Sequence, residues 1–313
     1  MFEEDQDVHE VLPKYQSDLL KYNAKTILTS YSLPIFLQAP WIRTLPLRMN
    51  SEARRKYLYT RDVMQKVVSE RRTDTGKRRH DLLQILIDSA DPETGEKLDD
   101  EDVISNVLLF LAAGSDTSSN TAFFVLLRLL RDPRVLRALQ EELDPLPRQE
   151  GGLIPYTRLK DLPYLDAVIK ESTRLDPVVG ALARQADADM VLAGYHIPKN
   201  TIVVASPMAA ALGSEWGDPL VFRPERHLGA EGKNEDRIMV PWSLGTRNCI
   251  GKTTPFRLPQ NFALMEIKMV IGNFLRHYSI EDVPGLVQNE ERRAFVTIRL
   301  KDEKYTMRIR KRT

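Results

Sequence analysis

The sequence predicts a mainly α-helical fold with small β-sheets, and three observations predict it. Residues 101–131 are apolar on nearly every face, as a central helix buried by its neighbours would be. Pro133 and Pro163 stand where further helical segments begin, a position that suits proline because the missing N–H has no partner there. Short alternating stretches, the mark of strands, occur only near residues 190–204 and at the C-terminal end.

The elements follow in order. Residues 52–72 read as a helix with charges on most faces, and 80–90 as a second, with a polar basic loop between them. Residues 89–102 form an acidic loop with turn signals at Pro92 and Gly95. The helix opened by Pro133 is amphipathic and runs through about Leu143; residues 145–155 are loop. Asp161-Leu162-Pro163 begins a helix that stops before Pro177, because the residue preceding a proline disfavours helical backbone. Two short strands flank Pro198-Lys199-Asn200-Thr201, with Asn200 suited to positive φ. Residues 261–278 are helical again. Phe295–Leu300 and Lys304–Ile309 alternate across Asp302-Glu303 and predict a terminal hairpin. No repeat or composition shift marks a second domain, so residues 1–313 are expected to form one.

Composition excludes several classes. With 42% hydrophobic residues among 313, the chain is not wholly disordered and can bury a substantial core. Its 45 Lys+Arg balance 44 Asp+Glu, which argues against a dedicated nucleic-acid binder. No apolar run approaches the roughly 20 residues needed to span a bilayer; the longest clean run is Val107–Ala113. The acidic start, Met1-Phe2-Glu3-Glu4-Asp5, is neither a secretory signal nor an Arg-rich transit peptide. Ile27–Ile42 is apolar but broken by Pro34 and Pro40. It reads as a partly buried irregular segment, or as a surface dipping into a membrane or lining a substrate entrance. The one cysteine cannot form an intrachain disulfide, which fits a reducing compartment.

That cysteine, Cys249, lies in Trp242-Ser243-Leu244-Gly245-Thr246-Arg247-Asn248-Cys249-Ile250-Gly251. Gly245 and Gly251 permit a tight turn in which backbone N–H groups point at one sulfur, and donors of that kind favour thiolate over thiol. A lone thiolate without a neighbouring Cys or His cannot make a zinc site. It can be a nucleophile, or the single protein ligand of a cofactor metal.

Here the sequence closely resembles the cytochrome P-450 family of haem-thiolate monooxygenases. The family's haem loop reads Phe-x-x-Gly-x-Arg-x-Cys-x-Gly, and this chain departs from it only in Trp242. The resemblance implies that Cys249 is the axial ligand of a haem b iron (iron protoporphyrin IX), with Arg247 beside a propionate and Trp242, Gly245 and Gly251 shaping the loop. A thiolate in that place pushes electron density onto the iron and favours O–O cleavage.

Three further motifs match in the family's order. Ala113-Gly114-Ser115-Asp116-Thr117-Ser118 falls in the middle of the predicted central helix. A buried acid beside a hydroxyl is costly there without partners, and a threonine that bonds back to the carbonyl four residues earlier loosens the helix. The resemblance implies a groove over the iron at Ala113 and Gly114, with Asp116 and Thr117 relaying protons to dioxygen. Glu171-Ser172-Thr173-Arg174 matches Glu-x-x-Arg, whose two charges share a helix face. Phe222-Arg223-Pro224-Glu225-Arg226-His227 resembles Phe-x-Pro-Glu-Arg-Phe. The implied role of Glu171, Arg174 and Arg226 is a buried charge network that holds the haem loop. Arg184 stands where many members place an arginine against a propionate. His196 and His227 read as structural.

Two departures shape the expectations. Only about 115 residues precede Asp116, so the chain reads as a cytochrome P-450 domain with its N-terminal part missing. Residues 253–260, carrying Pro255 and Pro259, are an atypical insertion between Lys252 and Asn261. Such an insertion is expected to move the next helix away from the sulfur.

The resemblance implies a monooxygenase that inserts one oxygen atom of O2 into a lipophilic small molecule. It would take electrons from an NADPH-dependent reductase docking behind Cys249, with Lys252, Arg257 and Lys268 as candidate basic contacts. Phe110–Thr117 and Val178–Leu182 are the expected visible share of the substrate pocket. The implied place is the cytosolic face of the endoplasmic reticulum membrane, with attachment belonging to the full-length protein. The alternative is a haem-free, non-catalytic helical remnant of such an enzyme.

Overall fold

The computed structural model describes residues 48–74, 76, 79, 81–147, 152–229, 239–252, 262–294 and 297–312. Ile27–Ile42 and residues 253–260 therefore lie outside the described residues. Eight α-helices and eight short strands occupy the described residues: α1 (Arg48–Thr73), α2 (Leu82–Asp88), α3 (Asp100–Arg131), α4 (Pro133–Leu143), α5 (Tyr156–Leu159), α6 (Pro163–Leu175), β1 (Leu182–Gln185), β2 (Met190–Leu192), β3 (Tyr195–Ile197), β4 (Ile202–Ala205), α7 (Pro207–Ala211), α8 (Phe262–His277), β5 (Tyr278–Asp282), β6 (Arg292–Ala294), β7 (Ile298–Leu300) and β8 (Met307–Lys311). The mainly helical expectation is met.

The chain divides into two compact units between Ser115 and Asp116, inside α3. The first has its own core of Val68, Leu86, Ile87, Val103 and Ile104. Asp81 caps α2 by accepting from the Gln84 amide, and also accepts from Arg71. Arg72 Nε reaches Asp100 Oδ1 at 2.6 Å and ties the end of α1 to the start of α3.

In the second unit, buried residues of α3, α4, α6 and α8 share one core, which includes Leu129, Leu139, Val168, Ile169, Ile267 and Ile271. α4 starts as its proline predicts: Asp132 accepts from the amides of Arg134 and Val135, and Pro133 takes the first turn. α6 starts at Pro163, where Glu142 accepts from the Tyr164 and Leu165 amides. Gly272 lets α8 approach α5 closely, since a Cβ there would lie 2.8 Å from a methyl of Leu159.

Three expectations need correction. α3 is not buried all round: Leu109 is 61% exposed, and Ala113, Gly114 and Ser115 are exposed. Its fully buried apolar residues sit near the two ends, Val103 and Ile104 in one unit and Phe124 to Leu130 in the other. The two strands expected around Pro198 are three. β2 pairs with β3 across Ala193-Gly194, both at positive φ, whereas Pro198–Thr201 leads into β4, which pairs with β1. Asn200 does take φ 69°. The terminal hairpin does not form. β7 pairs back with β6, and β8 pairs with β5 in a register that sets Ile309 opposite the buried Ile280. Alternation marks a strand but not its partner.

Candidate haem-thiolate site

The Cys249 loop is closed by its own backbone. The Cys249 amide donates to the Trp242 carbonyl at 2.8 Å, the Asn248 amide to Gly245, and the Lys252 amide to the Cys249 carbonyl. Short 3₁₀ turns at Gly245–Arg247 and Ile250–Lys252 flank the cysteine. Ser243 and Gly245 take φ of 60° and 75°, so the loop needs a glycine at 245 for its backbone alone. The thiol is exposed.

Cys249 faces a cavity of about 240 Å³. Its walls come from several elements: Trp242, Ser243 and Arg247 of the same loop; Thr117, Ser118 and Thr121 of α3; and Ile169 and Thr173 of α6 with Val178, Val179 and Leu182 beyond it. Ala263 and Ile267 of α8 complete it. A Cβ at Gly251 would lie 3.5 Å from the sulfur and 3.6 Å from Ala263 Cβ. The first turn of α8 therefore stands beside Gly251, and the expected displacement of that helix from the sulfur is not observed. α8 is simply delayed to Phe262.

The α3 residues split. Thr117 is in the cavity wall, whereas Asp116 is not. The Asp116 carboxylate instead accepts from the Thr297 hydroxyl, and Oδ1 lies 3.8 Å from Arg299 Nη2. Around them, Asn120 and Ser119 side chains donate to the Asp116 carbonyl and Thr121 to the Thr117 carbonyl, a run of back-bonds that competes with the helix ladder. Ala113 and Gly114 lie in the first unit; a Cβ at Gly114 would meet nothing within 4 Å. Arg184, on β1, donates to the hydroxyl of Ser243, itself a wall residue, and to the Ala183 carbonyl.

Behind the cavity, α6 turns its other face inward. Glu171, Arg174 and Arg226 are essentially inaccessible to solvent. Glu171 Oε1 accepts from Arg174 Nη2 at 2.8 Å, Arg226 Nε at 3.1 Å and the Arg223 amide at 3.0 Å. Oε2 accepts from Arg174 Nε at 2.9 Å and contacts His227 Nε2 at 2.8 Å. The guanidiniums spend their remaining donors on the carbonyls of Ala211, Pro219, Trp216 and Asp218, and Arg174 stacks over the Trp216 ring at 4.9 Å. Burial alone would push the Glu171 carboxyl up, but Arg174, then His227 and the Arg223 amide, outweigh it and hold the carboxyl at about 2.

The residues present suit an iron porphyrin. Among the described residues no group of three His, Cys, Asp or Glu side chains is arranged to hold a metal ion. A lone thiolate of this kind suits a metal that brings its other ligands with it, as a porphyrin iron does. The apolar wall suits a flat macrocycle, and Arg247, which lines the same cavity as Cys249, suits its carboxylates.

The family model for Cytochrome P450 matches residues 1–307. This chain belongs to the cytochrome P450 family. It is similar to the cytochrome P450 monooxygenase mpsF of Macrophomina phaseolina, at 32% identity over 96% of this chain and 69% of that protein. It is 34% identical to the cytochrome P450 monooxygenase FUS8 of Gibberella moniliformis over 79% of this chain and 48% of that one, and 35% identical to cytochrome P450 3A6 of Oryctolagus cuniculus over 72% and 45%. The solved heme domain of cytochrome P450DA superposes with a TM-score of 0.79 at 25% identity, over 97% of this chain and 61% of that one. The chain thus spans about half the length of two of these curated relatives.

Within this P450 chain, sequence reasoning missed several residues. His227 reads as structural and is placed so, its Nε2 beside Glu171 from 56 positions away, whereas the following four carried functional neighbours the sequence did not name. Thr121 and Thr173 could have been found from helical spacing, four residues after Thr117 and Ile169. Thr297 and Arg299 carried no local signal. Lys268 is corrected: it is 2% exposed and bound to Asp166 and the Lys160 carbonyl, so it offers no docking contact. Lys252 is exposed, and Arg257 lies outside the described residues. Within the second unit, Thr117, Val178, Val179 and Leu182 line the cavity and Asp116 does not. Among the described residues no helix is long and apolar enough to cross a membrane.

Proposed function

We propose that this chain is the haem-thiolate part of a monooxygenase that inserts one oxygen atom of O2 into a lipophilic small molecule and draws electrons from an NADPH-dependent reductase. One observation carries the reading: Cys249 and Thr117 line a single cavity, the cysteine from the loop and the threonine from α3. Haem b bound there would supply dioxygen binding and activation. Cys249 would ligate the iron, with Arg247, and Arg184 through its place beside Ser243, taking propionates. Trp242, Gly245 and Gly251 would shape the loop. Thr117 would hold a proton at its Oγ1 on the cavity side, and Asp116, one residue earlier, would exchange protons with it and with solvent. Glu171, Arg174 and Arg226 take no part in turnover; they fix the α6 backbone whose other face supplies Ile169 and Thr173. The apolar wall formed by Val178, Val179 and Leu182 favours an apolar substrate. We place the full-length protein at the cytosolic face of the endoplasmic reticulum membrane.

The test is the carbon-monoxide difference spectrum of the reduced, haem-supplemented chain. A band at the thiolate position that Cys249→Ala abolishes supports the reading. Correctly folded protein that takes up no haem supports the haem-free remnant instead.

A further inference from the structure

We propose that Arg299, on β7, is a positioning residue that sets the direction of the Asp116 carboxylate through the side-on edge of its guanidinium. The inference rests on the proton-handling role given to Asp116 above. Arg299 is 8% exposed, and among the described residues neither its Nε nor its Nη2 makes a hydrogen bond. Those two atoms form one edge of the fork, spaced to meet both oxygens of a carboxylate at once. Buried charged donors left unmade are expensive, so this edge is set for an acceptor. The acceptor within reach is Asp116, whose Oδ1 lies 3.8 Å from Nη2. The far side of the guanidinium is engaged elsewhere, with Nη1 3.5 Å from Glu303 Oε1.

Strand geometry explains how both partners of Asp116 come to one place. Thr297 and Arg299 are two residues apart and so share a face, and Thr297 donates to Oδ2 while Arg299 approaches Oδ1. The intervening Ile298, with Leu300, packs with Phe124 and Leu127 of α3. The Ile298 amide also donates to the Val178 carbonyl at 2.8 Å, beside the wall of the Cys249 cavity. β7 is thus locked by its apolar side and presents a cation to the helix acid, next to the hydroxyl of Thr297 just before the strand. Held this way, the carboxylate faces β7, while Thr117 faces the cavity. Asp116 has to turn between the two, and Arg299 fixes the resting end of that movement.

The test uses the full 313-residue chain labelled with carboxyl-¹³C aspartate. The Asp116 resonance is assigned by its loss in Asp116→Asn. Arg299→Gln moves that resonance, and Arg299→Lys, which keeps the charge but not the side-on edge, moves it less. A resonance unmoved by Arg299→Gln overturns the proposal. Where Arg299→Gln does not fold, Arg299→Lys decides: movement supports the proposal, and a wild-type position overturns it. In the haem-loaded chain, Arg299→Gln lowers kcat by about tenfold or more while KM stays within about twofold. In an Asp116→Asn background the same change has no further effect. An equal loss in both backgrounds overturns the proposal. If the chain takes up no haem, the functional reading fails, and the carboxyl resonance still decides the role of Arg299.

Discussion

The Nε2 atom of His227 lies 2.8 Å from Oε2 of Glu171, at a point where neither side chain meets solvent. The imidazole shares that oxygen with Arg174 Nε, and the other oxygen serves Arg174, Arg226 and the Arg223 amide. Four groups therefore converge on one carboxylate, and the chain around Trp216 to His227 is fastened to α6 through it.

Removing the carboxylate charge should be severe. Glu171→Gln keeps the shape and leaves two buried guanidiniums without their anion, which costs about 3–5 kcal/mol in urea unfolding. His227→Phe removes the contact with Glu171 and leaves both arginines paired, so it should cost about 1–2 kcal/mol. Equal losses in the two variants would contradict the convergence on Glu171.

The same site gives an acid sensitivity with a definite window. Burial works against ionisation of Glu171, but its Arg174, His227 and Arg223 donors prevail and hold the carboxyl at about 2, below its ordinary 4.5. A depressed carboxyl contributes stability that is fully present above the ordinary value and disappears as pH falls through the folded value. The stability gap between wild type and Glu171→Gln should thus narrow between pH 4.5 and 2. A gap that stays constant across that range, measured by denaturant titration, would refute this assignment.

Cys249 should be separable from folding. It is exposed, so Cys249→Ala should change unfolding free energy by less than about 0.5 kcal/mol. The same variant should lose the carbon-monoxide band entirely. Loss of stability together with the band would mean that the thiol packs rather than ligates.

Two glycine substitutions should have opposite signs. Gly245 has φ 75° with nothing near an added Cβ, so Gly245→Ala costs about 1–2 kcal/mol through backbone strain alone. Gly114 sits inside α3 with equally open space and ordinary helical backbone, so Gly114→Ala should add about 0.5–1 kcal/mol. Thermal unfolding of both variants gives the comparison directly.

The helices were legible because their starts carry local chemistry: Asp132-Pro133 and Leu162-Pro163 mark α4 and α6 where the structure has them. The Cys249 loop was legible because its glycines and arginine lie within ten residues of one another. The strand partners were not, since β8 chooses β5 across 24 intervening residues or more, and nothing local names that choice. Lys268 misled because a charge in a sequence says nothing about burial, and its partner Asp166 stands on another helix. Asp116 was placed correctly on α3, but its direction depends on Thr297 and Arg299, some 180 residues later.

α6 has consequences for redesign. Ile169 and Thr173 face the cavity, while Glu171 and Arg174, interleaved with them, anchor the buried charge cluster. Bulk changes on that helix would tilt both faces together, so widening the binding chamber for larger guests is better attempted at Val179 or Leu182, which belong to the segment beyond its end.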